Sequence, residues 1–293
     1  MSTSEPVVVT PSLLREWPLD EPGSGKEERG DLLVLGGSAS TPGAVLLSGE
    51  AALRAGAGKL AIATARSAAA ALAVAVPEAM VLGLPEDERG ELVPAGADTI
   101  VARAERTDAV LAGPGLGDPE TARRLLAAVL PHLRLPVVLD AVGTAYLSGD
   151  RDGLRHLGGR AVVTANPREL AHLAGREECT TREEALAAAT AAARDCDAVV
   201  LVGAEDKLVV APDGRSWVVE GGGPGLGVSG SGDVQAGIVA GLLARGHEPD
   251  QAAVWGGYLH ARAGERLAGS VGRVGFLARD LPAVVPIVLG ELA

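Results

Sequence analysis

Residues 31–56 read DLLVLGGSASTPGAVLLSGEAALRAG, and this stretch sets the fold class. Asp31-Leu32-Leu33-Val34-Leu35 is an apolar run too short for a helix and is stopped by Gly36-Gly37-Ser38, which predicts a strand buried on both faces. Residues 44–55 then carry apolar positions at helical spacing and end at Gly56. The unit is strand, turn and helix. The same strand signature recurs at residues 59–64, 109–112, 136–140, 161–164 and 198–202, with helical stretches such as 119–130 and 181–194 between them. Strands that are apolar throughout and alternate with helices predict an α/β domain with a mostly parallel central sheet and helices on both faces. Ligands of such sheets gather at the carboxyl ends of the strands.

Late in the chain the alternation changes. Residues 208–210 and 217–219 flank Pro212-Asp213-Gly214-Arg215 and predict an antiparallel hairpin at a sheet edge. A glycine-rich loop, residues 221–227, follows, then Gly230-Ser231-Gly232-Asp233 and a helical stretch over 234–244.

A chain of 293 residues, 47% apolar, can bury one large core, so residues 31–293 read as a single domain. Aromatic residues make up only 2%, so Ala, Val and Leu must build that core. Residues 1–30 read as an N-terminal extension, because Pro6, Pro11, Pro18, Pro22, Gly23 and Gly25 interrupt any regular pattern. A net charge of −12 repels polyanions and argues against nucleic-acid or membrane-surface partners, leaving small molecules. Cys179 and Cys196 lack metal-ligand companions and read as free thiols. With no signal-like start and no apolar run near the roughly 20 residues of a membrane helix, a cytoplasmic protein is expected.

Three segments carry residues suited to chemistry. In Gly230-Ser231-Gly232-Asp233, glycines free backbone N–H groups for an anion and the following helix adds its dipole. Asp233 beside that anion hole is suited to take a proton from an attacking hydroxyl. The alternative is that Ser231 or Asp233 only caps the helix. Second, Asn166 and Glu169 in Thr164-Ala165-Asn166-Pro167-Arg168-Glu169 could orient Mg²⁺ directly or through its water, or could simply start a helix. Third, Gly113-Pro114-Gly115-Leu116-Gly117 and Asp140 fall at strand ends. His260 reads mainly as a packed core histidine.

Taken in order, Gly36-Gly37-Ser38 with Gly43-Ala44, Leu53-Arg54-Ala55-Gly56-Ala57-Gly58, Pro77-Glu78-Ala79-Met80, Gly113 to Gly117, Leu139-Asp140-Ala141 and Gly230 to Asp233 with Ala236-Gly237-Ile238 carry a resemblance. Over residues 26–289 the chain resembles ADP-dependent NAD(P)H-hydrate dehydratases, relatives of the ribokinase-like small-molecule kinases. The resemblance implies an enzyme, a lyase of ribokinase-like fold. It would repair hydrated NADH or NADPH (NADHX, NADPHX; the S epimer), phosphorylating the hydroxyl with ADP or ATP and eliminating phosphate. It further implies Asp233 as catalytic residue, Ala44, Gly117, Asn166 and Asp233 on the substrate, and Mg²⁺. Val202, Gly203, Ala204, Glu205, Asp206, Ser231 and Gly232 would lie along the adenine nucleotide. A homotetramer and a separate epimerase belong to the same expectation.

Two departures from the family pattern stand out. A family Thr-Pro-His-Pro-Gly-Glu segment is here Thr164 to Glu169 with Asn166 in place of the imidazole. A family Leu-Lys-Gly-Ala-x-Thr segment is here Leu201-Val202-Gly203-Ala204-Glu205-Asp206, which removes a cation and adds two acids. An acid about 4 Å from a phosphate costs about 1 kcal/mol even in water. Lys207 is the candidate to replace that cation by reaching across, from a side of its strand that alternation alone leaves open. Two other readings therefore stay beside the dehydratase: a kinase acting on another small alcohol, and a catalytically weak dinucleotide-binding protein.

Overall fold

The computed structural model describes residues 5–21 and 23–292; the sequence readings that touch Pro22 and the first four residues lie outside the described residues. Ten strands form one sheet: β1 (Val7–Val8), β2 (Asp31–Leu35), β3 (Lys59–Ala65), β4 (Ala79–Leu84), β5 (Ala109–Ala112), β6 (Val137–Leu139), β7 (Ala161–Ala165), β8 (Val199–Val202), β9 (Lys207–Val210) and β10 (Ser216–Val219). Their spatial order is β1-β10-β9-β8-β7-β6-β5-β2-β3-β4, and β9 alone runs against the rest. The predicted hairpin is thus present, but β1 pairs in parallel with β10 and takes the outermost place.

Among the described residues eleven helices accompany the strands: α1 (Pro11–Glu16), α2 (Gly43–Arg54), α3 (Arg66–Ala75), α4 (Ala97–Ala104), α5 (Pro119–Val129), α6 (Ala145–Gly149), α7 (Pro167–Leu173), α8 (Arg182–Cys196), α9 (Ser231–Ala244), α10 (Pro249–Ser270) and α11 (Val285–Gly290). Strand side chains alternate between the two faces. Leu32 and Val34 of β2 join a core with α2, α3, α9 and α10, whereas Leu33 and Leu35 join a second core with α4, α5, α7 and α8. No described helix is long and apolar enough to cross a membrane.

Residues 5–21 are built into this frame. Pro11, taken from sequence as a breaker, occupies the first turn of α1, where a missing N–H costs nothing, and Thr10 caps the helix. Leu14 is fully buried, Trp17 stacks on Trp217 with ring centroids 5.8 Å apart, and the Trp255 indole donates to the Trp17 carbonyl at 2.9 Å.

The order of strands also fixes where ligands can sit. From β2 the chain moves outward through β3 and β4, then returns to place β5 on the other side of β2 and continues toward β8. The switch point of the sheet is therefore the gap between the carboxyl ends of β2 and β5. Loops 36–42 and 113–117 meet there: the Gly37 and Ser38 amides donate to the Pro114 and Gly115 carbonyls, each at 2.8 Å, and Thr41 Oγ1 donates to the Gly115 carbonyl at 2.6 Å.

Candidate active site

A cavity of about 910 Å³ opens at the carboxyl ends of β6, β7 and β8 and is bordered by the amino end of α9. Gly230 precedes α9 with φ 89°, a left-handed conformation open to glycine, and a β-carbon there would lie 2.5 Å from Leu47 Cδ1 of α2. The chain can turn into the helix only because that side chain is missing. No side chain caps α9, so neither Ser231 nor Asp233 performs the capping that the sequence left open, and the first-turn amides face the cavity end of the helix. Ser231 Oγ instead meets His260 Nε2 of α10 at 3.0 Å.

Asp233 lies in the first turn of α9, partly buried at the cavity wall. Burial, with the Glu169 carboxylate nearby, pushes its pKa up to about 6. Burial likewise raises Glu169, against the pull of the Asn166 amide. Asp140, directly after β6, is buried and held well above the usual carboxylate range by burial, then by Asp233 and Glu169; Thr164 Oγ1 donates to its Oδ1 at 2.6 Å. Asp140, Glu169 and Asp233 thus face one cavity, and burial raises all three toward their protonated forms. Ala141, next to Asp140, also lines the cavity and has φ 49°, a conformation that costs a non-glycine residue about 1 kcal/mol.

Asn166 and Glu169 form the helix start that their spacing allowed. Asn166 Oδ1 accepts from the Arg168 and Glu169 amides, each at 2.9 Å, while Glu169 Oε2 accepts from the Asn166 amide at 2.8 Å. Both also line the cavity. Among the described residues no group of three His, Cys, Asp or Glu side chains is arranged to hold a metal ion.

Gly203, Ala204, Glu205, Ser231 and Gly232 line the cavity together with Asn166 and Asp233. Two members of the predicted nucleotide segment do not. Val202 is fully buried among the apolar residues of β8 and α8, and Asp206 turns to Arg182 at 3.9 Å while accepting the Gly221 amide at 3.4 Å. Ala44 and Gly117 sit apart from the cavity, at the switch point: Ala44 in the first turn of α2 beside Gly115, and Gly117 donating its amide to Glu91 Oε2 at 3.0 Å.

Sequence reading passed over Gln235 and Arg273 and left the reach of Lys207 open. Gln235, the one polar side chain between Val234 and Ala244, lies a helical turn beyond Ser231 and lines the cavity, as do Lys207 and Arg273. An isolated polar residue in an all-apolar helix, at i+4 from a site residue, is the signal that could have found it. His260 is buried as expected of a packed histidine, yet it also borders the cavity, and its Nδ1 has no hydrogen-bond partner.

The doubly covered, mostly parallel sheet with one reversed strand is the fold of a ribokinase-like superfamily protein of Enterococcus faecalis, at TM-score 0.81 and 24% identity, covering 100% of this chain and 98% of that one. Residues 32–286 match the model of a family described as NAD(P)H-hydrate dehydratase, and the chain belongs to that family. It is 45% identical to an ADP-dependent (S)-NAD(P)H-hydrate dehydratase of Xanthomonas campestris pv. campestris, over 97% of this chain and 96% of that one. It is 36% identical to a bifunctional NAD(P)H-hydrate repair enzyme of Moorella thermoacetica, over 94% of this chain but only 52% of that protein. Among solved structures, an ADP/ATP-dependent NAD(P)H-hydrate dehydratase of Bacillus subtilis co-crystallised with ATP/Mg²⁺ shares the fold at TM-score 0.81 and 24% identity, covering 99% of this chain and 100% of that one.

Proposed function

We propose that the chain restores NADH and NADPH from the S epimer of their hydrates, consuming ADP or ATP. The observation that carries the reading is Asp233: a carboxyl with its pKa near 6, at an uncapped helix start, in a member of this family. At pH 7 it is mostly ionised and can accept the proton of the hydrate's hydroxyl as that oxygen attacks the terminal phosphorus of the nucleotide. The amides of Gly232 and Asp233 and the dipole of α9 stabilise the transferring phosphoryl group, and ADP departs as AMP. Phosphate then leaves with the electrons of its C–O bond while a proton is lost from the neighbouring carbon, which restores the ring double bond.

The hydrated ring enters from the switch point, past Ala44 and Gly117, while the nucleotide occupies the cavity along Gly203 to Glu205. Mg²⁺ suits the hard oxygens of Glu169 and Asn166, which would hold it at the cavity wall. When bound, it offsets phosphate charge.

The test is direct. Protein, enzymatically hydrated NADH, Mg²⁺ and either ADP or ATP should regenerate dihydronicotinamide absorbance, with AMP formed when ADP is the donor. No recovery with either nucleotide overturns the reading. A stable phosphorylated hydrate, or phosphorylation of another alcohol, would point to a kinase instead.

A further inference from the structure

Lys207 is among the largest fully buried side chains of the protein, at 1% exposure, although it carries an ammonium group. Buried ammonium groups are normally paired, because leaving water costs several kcal/mol. Among the described residues, no carboxylate oxygen lies within salt-bridge distance of Lys207 Nζ and no hydrogen bond to it is formed. The two nearest acids are occupied elsewhere. Asp206 faces Arg182, and Glu265 pairs with Arg262 while accepting the Gly222 amide at 3.1 Å.

Alternation along β9 explains where this side chain goes. Leu208 and Val210 point into the core against α8, whereas Val209 points toward α9 and α10, and Lys207 is in phase with Val209. Gly222 and Gly257 flank it: β-carbons built there would lie in ordinary contact, 3.5 Å from Nζ and 3.6 Å from Cδ. Beyond it stands His260, held well below its usual pKa by burial and by Lys207, hence neutral and no rival for an anion. His260 in turn touches Ser231 at the start of α9.

The cavity needs such a cation. Its charged lining consists of Asp140, Glu169, Glu205 and Asp233 against Lys207 and Arg273, and the end of β8 contributes a buried valine where the resemblance leads one to expect lysine. We propose that Lys207 Nζ contacts the phosphate chain of the adenine nucleotide, so that β9 supplies the charge absent from β8. This rests on the nucleotide-dependent reading above. Burial holds the free ammonium's pKa down to about 8, against the opposing pull of Asp206 and Glu265, and an arriving phosphate supplies the missing partner.

Calorimetry on the full chain tests the assignment with ADP and adenosine as probes. ADP affinity should fall at least about tenfold in Lys207→Met and remain within about threefold in Lys207→Arg, while adenosine affinity stays unchanged in both. Removing an unpaired buried charge should leave Lys207→Met folded, with a melting temperature at or above that of the parent. Equal losses for ADP and adenosine would assign Lys207 to the base rather than the phosphates, and an unchanged ADP affinity would remove it from the site; either overturns the proposal, as does a parent protein that binds no ADP. A parent that binds ADP through Lys207 yet regenerates no NADH would sink the dehydratase reading alone.

Discussion

At the scale of single residues, Asp233 decides the pH behaviour. A base with a folded-state pKa near 6 is lost below that pH, so kcat/KM for the hydrate should rise with pH to a plateau, with its acidic limb centred near 6. A limb near 4, or none, would place the base elsewhere. The same shift has a stability sign. An acid whose pKa is raised on folding destabilises the fold above that pKa, and the penalty vanishes as pH falls below the ordinary 3.8. Asp233→Asn should therefore remove most turnover while raising stability at pH 7 by about 1–3 kcal/mol, read by urea denaturation. Sequence made the glycine-flanked aspartate legible because a motif names its own atoms. It left open whether Lys207 and His260 reach the cavity and passed over Gln235, since such roles depend on which way a side chain leaves a strand or helix.

At the scale of elements, the position of the anion hole depends on how closely α9 approaches α2. A β-carbon added at Gly237 would lie 2.2 Å from the Ser48 carbonyl oxygen, and one at Gly241 would lie 2.6 Å from that of Ala52, so the two helices touch backbone to backbone. Gly237→Ala must part them. The clash outweighs the gain in helix propensity of about 1 kcal/mol, for a net loss of about 1–2 kcal/mol, with kcat lowered because Asp233 rides on the displaced helix. Gly269→Ala in α10, where nothing lies within 4 Å, is the control and should stabilise by about 0.5–1 kcal/mol. If both substitutions behave alike in denaturation, the packing argument fails. Of the elements, β2, β5 and the α9 region were readable from short apolar runs and helical spacing. Strand β4 was not: Ala79–Leu84 is mostly half-exposed at the outer edge, and its glycine and alanine give no strong periodic signal.

At the scale of the whole molecule, one sheet carries both the switch point between β2 and β5 and the cavity over β6 to β8. Parallel order was legible because the interior parallel strands carry apolar residues on both faces. The place of residues 5–21 was not, because Val7–Val8 is too short to show alternation and the prolines that signal breaks also suit helix starts. Its weight can be measured. Deleting residues 1–17 removes buried Val9 and Leu14 and the Trp17 ring over Trp217, and should lower Tm by at least about 5 °C. A Tm shift under 1 °C would show these residues to be a dispensable extension.

The pairing of β1 with β10 has a consequence for the order of events during synthesis. Val7 and Trp217 are neighbours in the sheet but are made 210 residues apart, so β1 leaves the ribosome long before the strand it pairs with. Until then β1 must stay unpaired, and the nascent domain, growing from β2 outward, completes its reversed strand before its outermost edge is sealed by a segment made long before it.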